Sequence, residues 1–244
     1  MNAANSLANI RIVLVETSHP GNLGAAARAM KVMGLSDLAL VNPKCEIDAE
    51  ARARASGAVD VLENASINTS LDAALADVAL AAACTSRRRD LPHPAWTPRQ
   101  AAPQLLGIAQ SQKIALVFGS ETYGLSNEQL MKCRWLLNVP SNPEYSSLNL
   151  GAAVQVLAYE LRSSLDDAIL ALPEFELAPH AAEQALLAEL EKTLIQIGFH
   201  NPDNPKRLMP RLRRFFAKAA LEKEEVAIWR GVLSAVQGRR NGGA

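Results

Sequence analysis

The chain has 244 residues, 49% of them apolar, with 25 basic and 25 acidic side chains, so its formal charge is zero. That length holds one large domain or two smaller ones around a sizeable core. The balanced charge excludes a protein coated in positive charge, although it leaves room for local basic runs. No apolar stretch reaches the roughly 20 residues that span a bilayer, and no membrane association is expected. The start, MNAANSLANIRIVLVETS, has no basic segment ahead of a long apolar run and does not read as a signal peptide. Cys45, Cys84 and Cys133 form no CxxC pair and fit a reducing, cytoplasmic compartment as small buried hydrophobes. His19, His93, His180 and His200 share no metal-ligand spacing, so no metal is expected.

In chain order, IRIVLVET (Ile10 to Thr17) predicts a strand, and the turn-forming SHPGNLG follows it. AAARAMKVM predicts a helix stopping at a Gly34 C-cap, with Arg28 about one turn into it. DLALVN is a second strand, followed by a helix carrying Arg52 and Arg54, then VDVL as a short strand. SLDAALAD reads as helix and VALAAAC as strand. The prolines and charges of TSRRRDLPHPAWTP make a loop before the helix PRQAAPQLLGIAQ. KIALVFG is the clearest strand, SETYGLSNEQLMKC a loop passing into a helix, and RWLLNVP a last strand. NPEYSSLNL then leads into a helix from about Ser147. Its Leu150, Ala153, Val154, Leu157, Ala158, Leu161 and Leu165 form one apolar stripe.

Strands alternating with helices predict an α/β fold, a parallel sheet with helices on both faces. Ligands of such sheets gather at the carboxyl ends of the strands. Those ends carry SHPGNLG, CTSRRR, GSETYG and SNPEYSSLN, so the polar and glycine-rich residues collect at one kind of position. Near Leu172 the proline-bearing, acidic LPEFELAPHAAE reads as a linker, and only helical patterns follow. The expected organisation is a first domain over 1–165, a linker over 166–182 and a small all-helical domain over 183–240. The final GRRNGGA is expected to be disordered.

GNLG does not match GxGxxG, and neither a P-loop nor a GxSxG elbow is present. A nicotinamide-linked oxidoreductase is therefore unsupported. Taken singly, Gly21 and Gly24 read as a tight turn, Arg28 as a solvent-facing arginine and FGSETYGL as a strand-to-helix turn. Ser146, Ser147 and Asn149 exceed the one residue a helix cap needs. The free amides at that helix start favour an anionic or hydrogen-bonding group. Arg87, Arg88 and Arg89 taken singly read as a solvated loop, but their place after a strand end favours a phosphate contact. Arg207, Arg211, Arg214 and Lys218 share one helical face, and no acid stands between Asp203 and Glu222. Leu208, Leu212, Phe215 and Ala219 are expected to form the adjoining apolar face. Such a stripe is either the solvated face of an amphipathic helix or, as its freedom from acids favours, a helix laid along a phosphate backbone. With few aromatic residues, a folded RNA read by shape fits better than a bare single strand.

NLGAAAR, LVFGSETYGLS and NPEYSSLNL together resemble the three motifs of the SPOUT RNA methyltransferases, in their TrmH-like branch. IRIVLVETSHPGN and NPDNPKRLMPRLRRFF extend the resemblance over nearly the whole chain. It implies a deep trefoil knot late in the first domain, a homodimer and S-adenosylmethionine as cofactor. It also implies methylation of the ribose 2'-hydroxyl of cytidine or uridine at position 32 of the tRNA anticodon loop. Another RNA 2'-O-methyltransferase or an inert RNA-binding homologue are the alternatives. Matched by position, Cys84, Thr85, Ser86, Gly119, Glu121, Val139, Ser146, Ser147 and Leu148 would hold the cofactor. Arg28, Ser147 and Asn149 would be catalytic. Asn22, Arg28, Arg87, Arg88 and the tail residues Arg207, Arg211, Arg214 and Lys218 would meet RNA. The resemblance gives Arg28 the place of a general base. A guanidinium resists deprotonation, so a clamp on phosphate and developing alkoxide charge is physically easier.

Overall fold

The computed structural model describes residues 3–86, 95–165 and 176–241. Arg87, Arg88, Arg89 and His93, and the first ten residues of the expected linker, lie outside them. Among the described residues no helix is long and apolar enough to cross a membrane, and no cluster of His, Cys, Asp or Glu could hold a metal ion.

The strands are β1 (Ile10–Val15), β2 (Asp37–Val41), β3 (Ser66–Asn68), β4 (Leu80–Cys84), β5 (Ala95–Trp96), β6 (Ile114–Phe118) and β7 (Trp135–Leu137). They form one sheet in the order β3-β2-β1-β6-β4-β7-β5, and every pairing is parallel. The helices before the sheet ends are α1 (Ala3–Ala8), α2 (Pro20–Met33), α3 (Ala49–Ala55), α4 (Val59–Glu63), α5 (Leu71–Leu75), α6 (Pro98–Ala109) and α7 (Asn127–Met131). After it come α8 (Leu150–Ser163), α9 (His180–Gln196), α10 (Leu208–Ala219) and α11 (Lys223–Asn241).

Both faces of the sheet are covered, which is why β4 and β6 read as unbroken apolar runs and β1 does so from Ile12 onward. Alternate residues of one strand serve different layers. Ile12 and Leu14 join the core under α2, α3, α6 and α8. Val13 and Val15 join the smaller core under α5 and α7. β7 lies between β4 and β5, which the chain visits much earlier. A late strand laid inside an earlier connection is the arrangement a knot of the implied kind needs.

Several elements differ from their expected form. α2 begins at Pro20, inside the stretch read as a turn, because proline is well placed in the first helical turn. Arg28 therefore stands about two turns into the helix rather than one. Gly24 is a packing residue. A Cβ there would fall 2.1 Å from the Ala51 carbonyl of α3. VDVL lies in α4 and is helical. The edge strands β3 and β5 were not legible, being short and polar or proline-flanked. α8 starts at Leu150, three residues after the expected start. α11 runs on to Asn241, into the tail expected to be disordered.

The helices α9, α10 and α11 close around their own core, including Leu186, Leu187, Leu190, Phe216 and Leu233. Residues 176–182, read as the end of the linker, are packed. The Leu177 peptide exchanges two hydrogen bonds with the Gln112 side chain, at 2.7 and 3.0 Å. The His180 amide donates to the Val78 carbonyl at 2.7 Å. Arg134 pairs with Glu183, and both side chains are buried. Val78, Gln112 and Arg134 all precede strands, so the helical tail roots at the amino ends of β4, β6 and β7.

Candidate active site

The carboxyl ends of β4, β6 and β7 open onto a cleft of about 220 Å³. Three loops wall it. Cys84, Thr85 and Ser86 leave β4, Gly119 to Gly124 leave β6, and Val139 with Ser146, Ser147 and Leu148 follow β7. All nine residues expected to hold the cofactor thus line one cleft. Phe118, Ser120, Thr122, Tyr123, Leu125, Leu150 and Ala153 line it too and were not singled out for it. Their signal was adjacency to Gly119 and Glu121 or to the start of α8.

The walls are tied together. The Asn138 side chain donates to the Thr85 carbonyl at 2.8 Å, and the Thr85 amide donates to the Leu137 carbonyl at 2.9 Å. The Gly124 amide donates to the Ser120 carbonyl at 2.9 Å, folding the 120–124 loop back over Gly119. A Cβ on Gly119 would lie 2.2 Å from the Gly124 backbone, so only glycine permits this approach. Burial pushes the Cys84 thiol up to about 12. It stays protonated at neutral pH and is a wall rather than a nucleophile.

The lining fits the cofactor implied by the resemblance. Phe118, Leu125, Val139 and Leu150 offer apolar surface to a flat ring. Among the described residues, the amides of Ser146, Ser147 and Leu148 make no hydrogen bond, so donors remain for a polar ring edge.

Beside the cleft, three sequence-distant residues form a relay. The Glu121 carboxylate accepts from the Ser18 amide and hydroxyl, both at 3.1 Å, and from Asn22 Nδ2 at 2.8 Å. Partial burial opposes its charge, but the hydrogen bonds from Asn22 and Ser18 outweigh this and hold the carboxyl below its ordinary value. An ionised carboxylate only accepts, so Asn22 must present its NH₂ to Glu121 and its oxygen outward. That oxygen accepts from Asn149 Nδ2 at 2.8 Å. Asn149 Oδ1 in turn accepts from the Gly151 amide at 2.9 Å, capping α8. Asn149 is therefore the cap, and Ser146 and Ser147 are left for the cleft. Ser18 had no sequence signal.

Arg28 is exposed on α2 and does not line the cleft. α2 packs against α8, so Arg28 stands on the helix that neighbours the one Asn149 caps. Among the described residues Arg28 has no acidic partner, whereas Lys31 pairs with Asp60 at 2.7 Å and Arg52 with Glu63 at 2.6 Å.

In the tail, Arg207, Arg211, Arg214 and Lys218 are all exposed. The adjoining face is the expected one only in part: Leu212 packs against the tail core, whereas Phe215 and Ala219 are exposed. Met209, Phe216 and Ala217 are buried, while Phe215 is 59% exposed. The reason is that Phe216 inserts into the tail core, turning its neighbour outward.

Residues 9–159 match the SpoU rRNA methylase family, and residues 182–244 match the C-terminal domain of tRNA methyltransferase TrmJ. The chain is 48% identical over 235 residues to a tRNA (cytidine/uridine-2'-O-)-methyltransferase TrmJ of Pectobacterium atrosepticum, covering 95% of this chain and 98% of the relative. It is 45% identical over 245 residues to the enzyme of that name from Escherichia coli K12, covering 97% and 98%. Among solved structures, TrmJ from Z. mobilis superposes with a TM-score of 0.81 at 34% identity, covering 93% of this chain and 98% of that one. A probable methylase family protein from Haemophilus influenzae gives 0.63 at 41% identity, covering 96% and 98%.

Proposed function

Because the chain belongs to the SpoU rRNA methylase family, we propose that it methylates the ribose 2'-hydroxyl of cytidine or uridine in tRNA, at position 32 of the anticodon loop. The observation that carries the reaction is similarity along both parts of the chain, cleft and tail, to relatives named as tRNA (cytidine/uridine-2'-O-)-methyltransferases; position 32 is what the resemblance of the sequence motifs implies. S-adenosylmethionine is the cofactor; when bound, it supplies a sulfonium methyl group open to in-line attack by an oxygen.

The chain's own residues bind, orient and stabilise. The three cleft loops hold the cofactor, through Cys84 to Ser86, Gly119 with Glu121, and Val139 with Ser146 to Leu148. Glu121 and Asn149 hold the Asn22 amide in one orientation, presenting a fixed polar surface to the ribose. Ser147 and Asn149 orient that ribose. Arg28 clamps a phosphate of the substrate and offsets the negative charge that develops on the ribose oxygen as the hydroxyl passes its proton to solvent. Arg87 and Arg88, which lie outside the described residues, are read from the resemblance as further phosphate contacts.

We read 1–165 as the catalytic unit and 183–240 as the tRNA-binding unit, in a cytoplasmic homodimer. A solution mass of twice 26.2 kDa checks the dimer. The activity is tested with labelled S-adenosylmethionine and unmodified tRNA, followed by mass spectrometric mapping of the product. The expected result is one ribose methyl group at position 32. Label on a base, or at another nucleotide such as 34, would refute the assigned position. No label with retained tRNA binding would favour the inert homologue.

The tail is tested by charge. Arg207, Arg211, Arg214 and Lys218 all changed to Gln should weaken tRNA binding and flatten its salt dependence. The slope of log affinity against log salt should fall by roughly 3, at about 0.7 to 0.9 per phosphate contact. Filter binding across salt concentrations measures it, and an unchanged slope would mean the stripe touches no RNA. This variant is cleaner than deleting the tail, which would strip Arg134 of its buried partner Glu183.

A further inference from the structure

Phe215 stands in the middle of the basic stripe and faces outward. It is 59% exposed, although a phenylalanine on a folded helix ordinarily gains by burial. Arg214 precedes it, Arg211 lies one turn before and Lys218 one turn after, and all three are exposed. Ala219, on the same face, is exposed and too small to screen the ring.

The ring is also braced. Phe215 meets Phe216 edge-to-face, with centroids 5.4 Å apart and planes at 82°. Phe216 is 2% exposed and meets Trp229 in the same way, at 5.4 Å and 83°. The outermost ring therefore rests on a ladder anchored in the tail core. Such edge-to-face pairs hold a preferred geometry, so the free face of Phe215 is presented with little conformational freedom left to lose.

A fixed aromatic face among cations that have no acidic partner among the described residues, with no acid between Asp203 and Glu222, suits a polyanion that carries flat apolar groups. An apolar protein surface would leave the cations without partners. A duplex would satisfy the cations but hide its base faces. We propose that Phe215 is a stacking site for an unpaired nucleobase of the bound tRNA, with Arg211, Arg214 and Lys218 on the flanking phosphates. This rests on the reading of the tail as the tRNA-binding unit and deepens it. The tail then recognises single-stranded nucleotides as well as phosphate spacing.

The test uses full-length protein and two RNAs, unmodified tRNA and a fully paired duplex of similar length. Phe215→Ala should weaken tRNA binding about ten-fold, the range of one base–aromatic stack, and leave the salt slope unchanged. Duplex binding should move less than two-fold. Phe215→Trp should restore tRNA affinity, whereas Phe215→Leu, apolar but not flat, should not. Thermal melting should change little for any of them, because the ring is exposed. Wild-type tRNA affinity in Phe215→Ala, or an equal loss on tRNA and duplex, would overturn the stacking site. Failure of the tail reading itself looks different: the four-charge variant would keep its salt slope.

Discussion

Arg28→Ala is expected to lower methylation by roughly 10²- to 10³-fold, the cost of removing one preorganised group that stabilises developing charge. Cofactor affinity should stay within two-fold, because Arg28 does not line the cleft. Folding stability should also be preserved, since the side chain is exposed and no partner among the described residues loses a contact. Calorimetry with S-adenosylmethionine and a turnover assay separate the two effects. Arg28→Lys sharpens the result. It keeps the charge but loses the planar fork, so a clamp that needs two-point contact should remain strongly impaired. Near wild-type turnover in either variant would remove Arg28 from the chemistry.

Gly119→Ala is expected to reduce cofactor affinity by at least about ten-fold, and turnover with it. The added Cβ would meet backbone atoms of Gly124 and Leu125 at 2.2 and 2.3 Å. Backbone cannot swing aside as a side-chain tip can, so the 120–124 loop must lift and take one wall of the cleft with it. Gly124→Ala is the contrasting variant. Its φ of 67° is unfavourable for alanine, but a Cβ there meets nothing within 4 Å. That substitution should cost about 1–2 kcal/mol of stability with a milder loss of affinity. Equal affinity for wild type and Gly119→Ala, read by calorimetry, would mean the loop does not shape the binding surface.

Much of the sheet was legible, because strands covered on both faces must be apolar throughout. β4, β6 and β7 show this, and β1 and β2 do so apart from the paired Arg11 and Asp37 at their amino ends. Their carboxyl ends were legible by contrast, as the places where glycine and polar residues interrupt apolar runs. The assignment of Cys84 or Val139 to a cofactor came from resemblance, since neither residue has a periodicity that marks it. β3 escaped notice because it is an edge strand with Ile67 70% exposed. The relay was illegible for another reason. Asn22 meets Glu121 99 residues away and Asn149 127 residues away, and no local pattern encodes such a meeting. The glycines of α2 misled in the same way. Their spacing looks like a turn until a second helix is seen lying against them. On α10 the error was one of angle, because the apolar face was assigned to Phe215 when the tail core takes Phe216.

The place of β7 also bears on how the chain is made. Among the described residues β5 pairs with no strand but β7, and β7 is also the outer neighbour of β4. On the ribosome, Trp96 emerges about 40 residues before Leu137. At roughly 5–20 residues per second, β5 waits on the order of 2 to 8 seconds for its partner. During that wait one edge of β4 is open to pairing with other chains. The segment that builds the cleft is therefore the last of the sheet to become safe from aggregation, and slowed synthesis between α6 and β7 would lengthen its exposure.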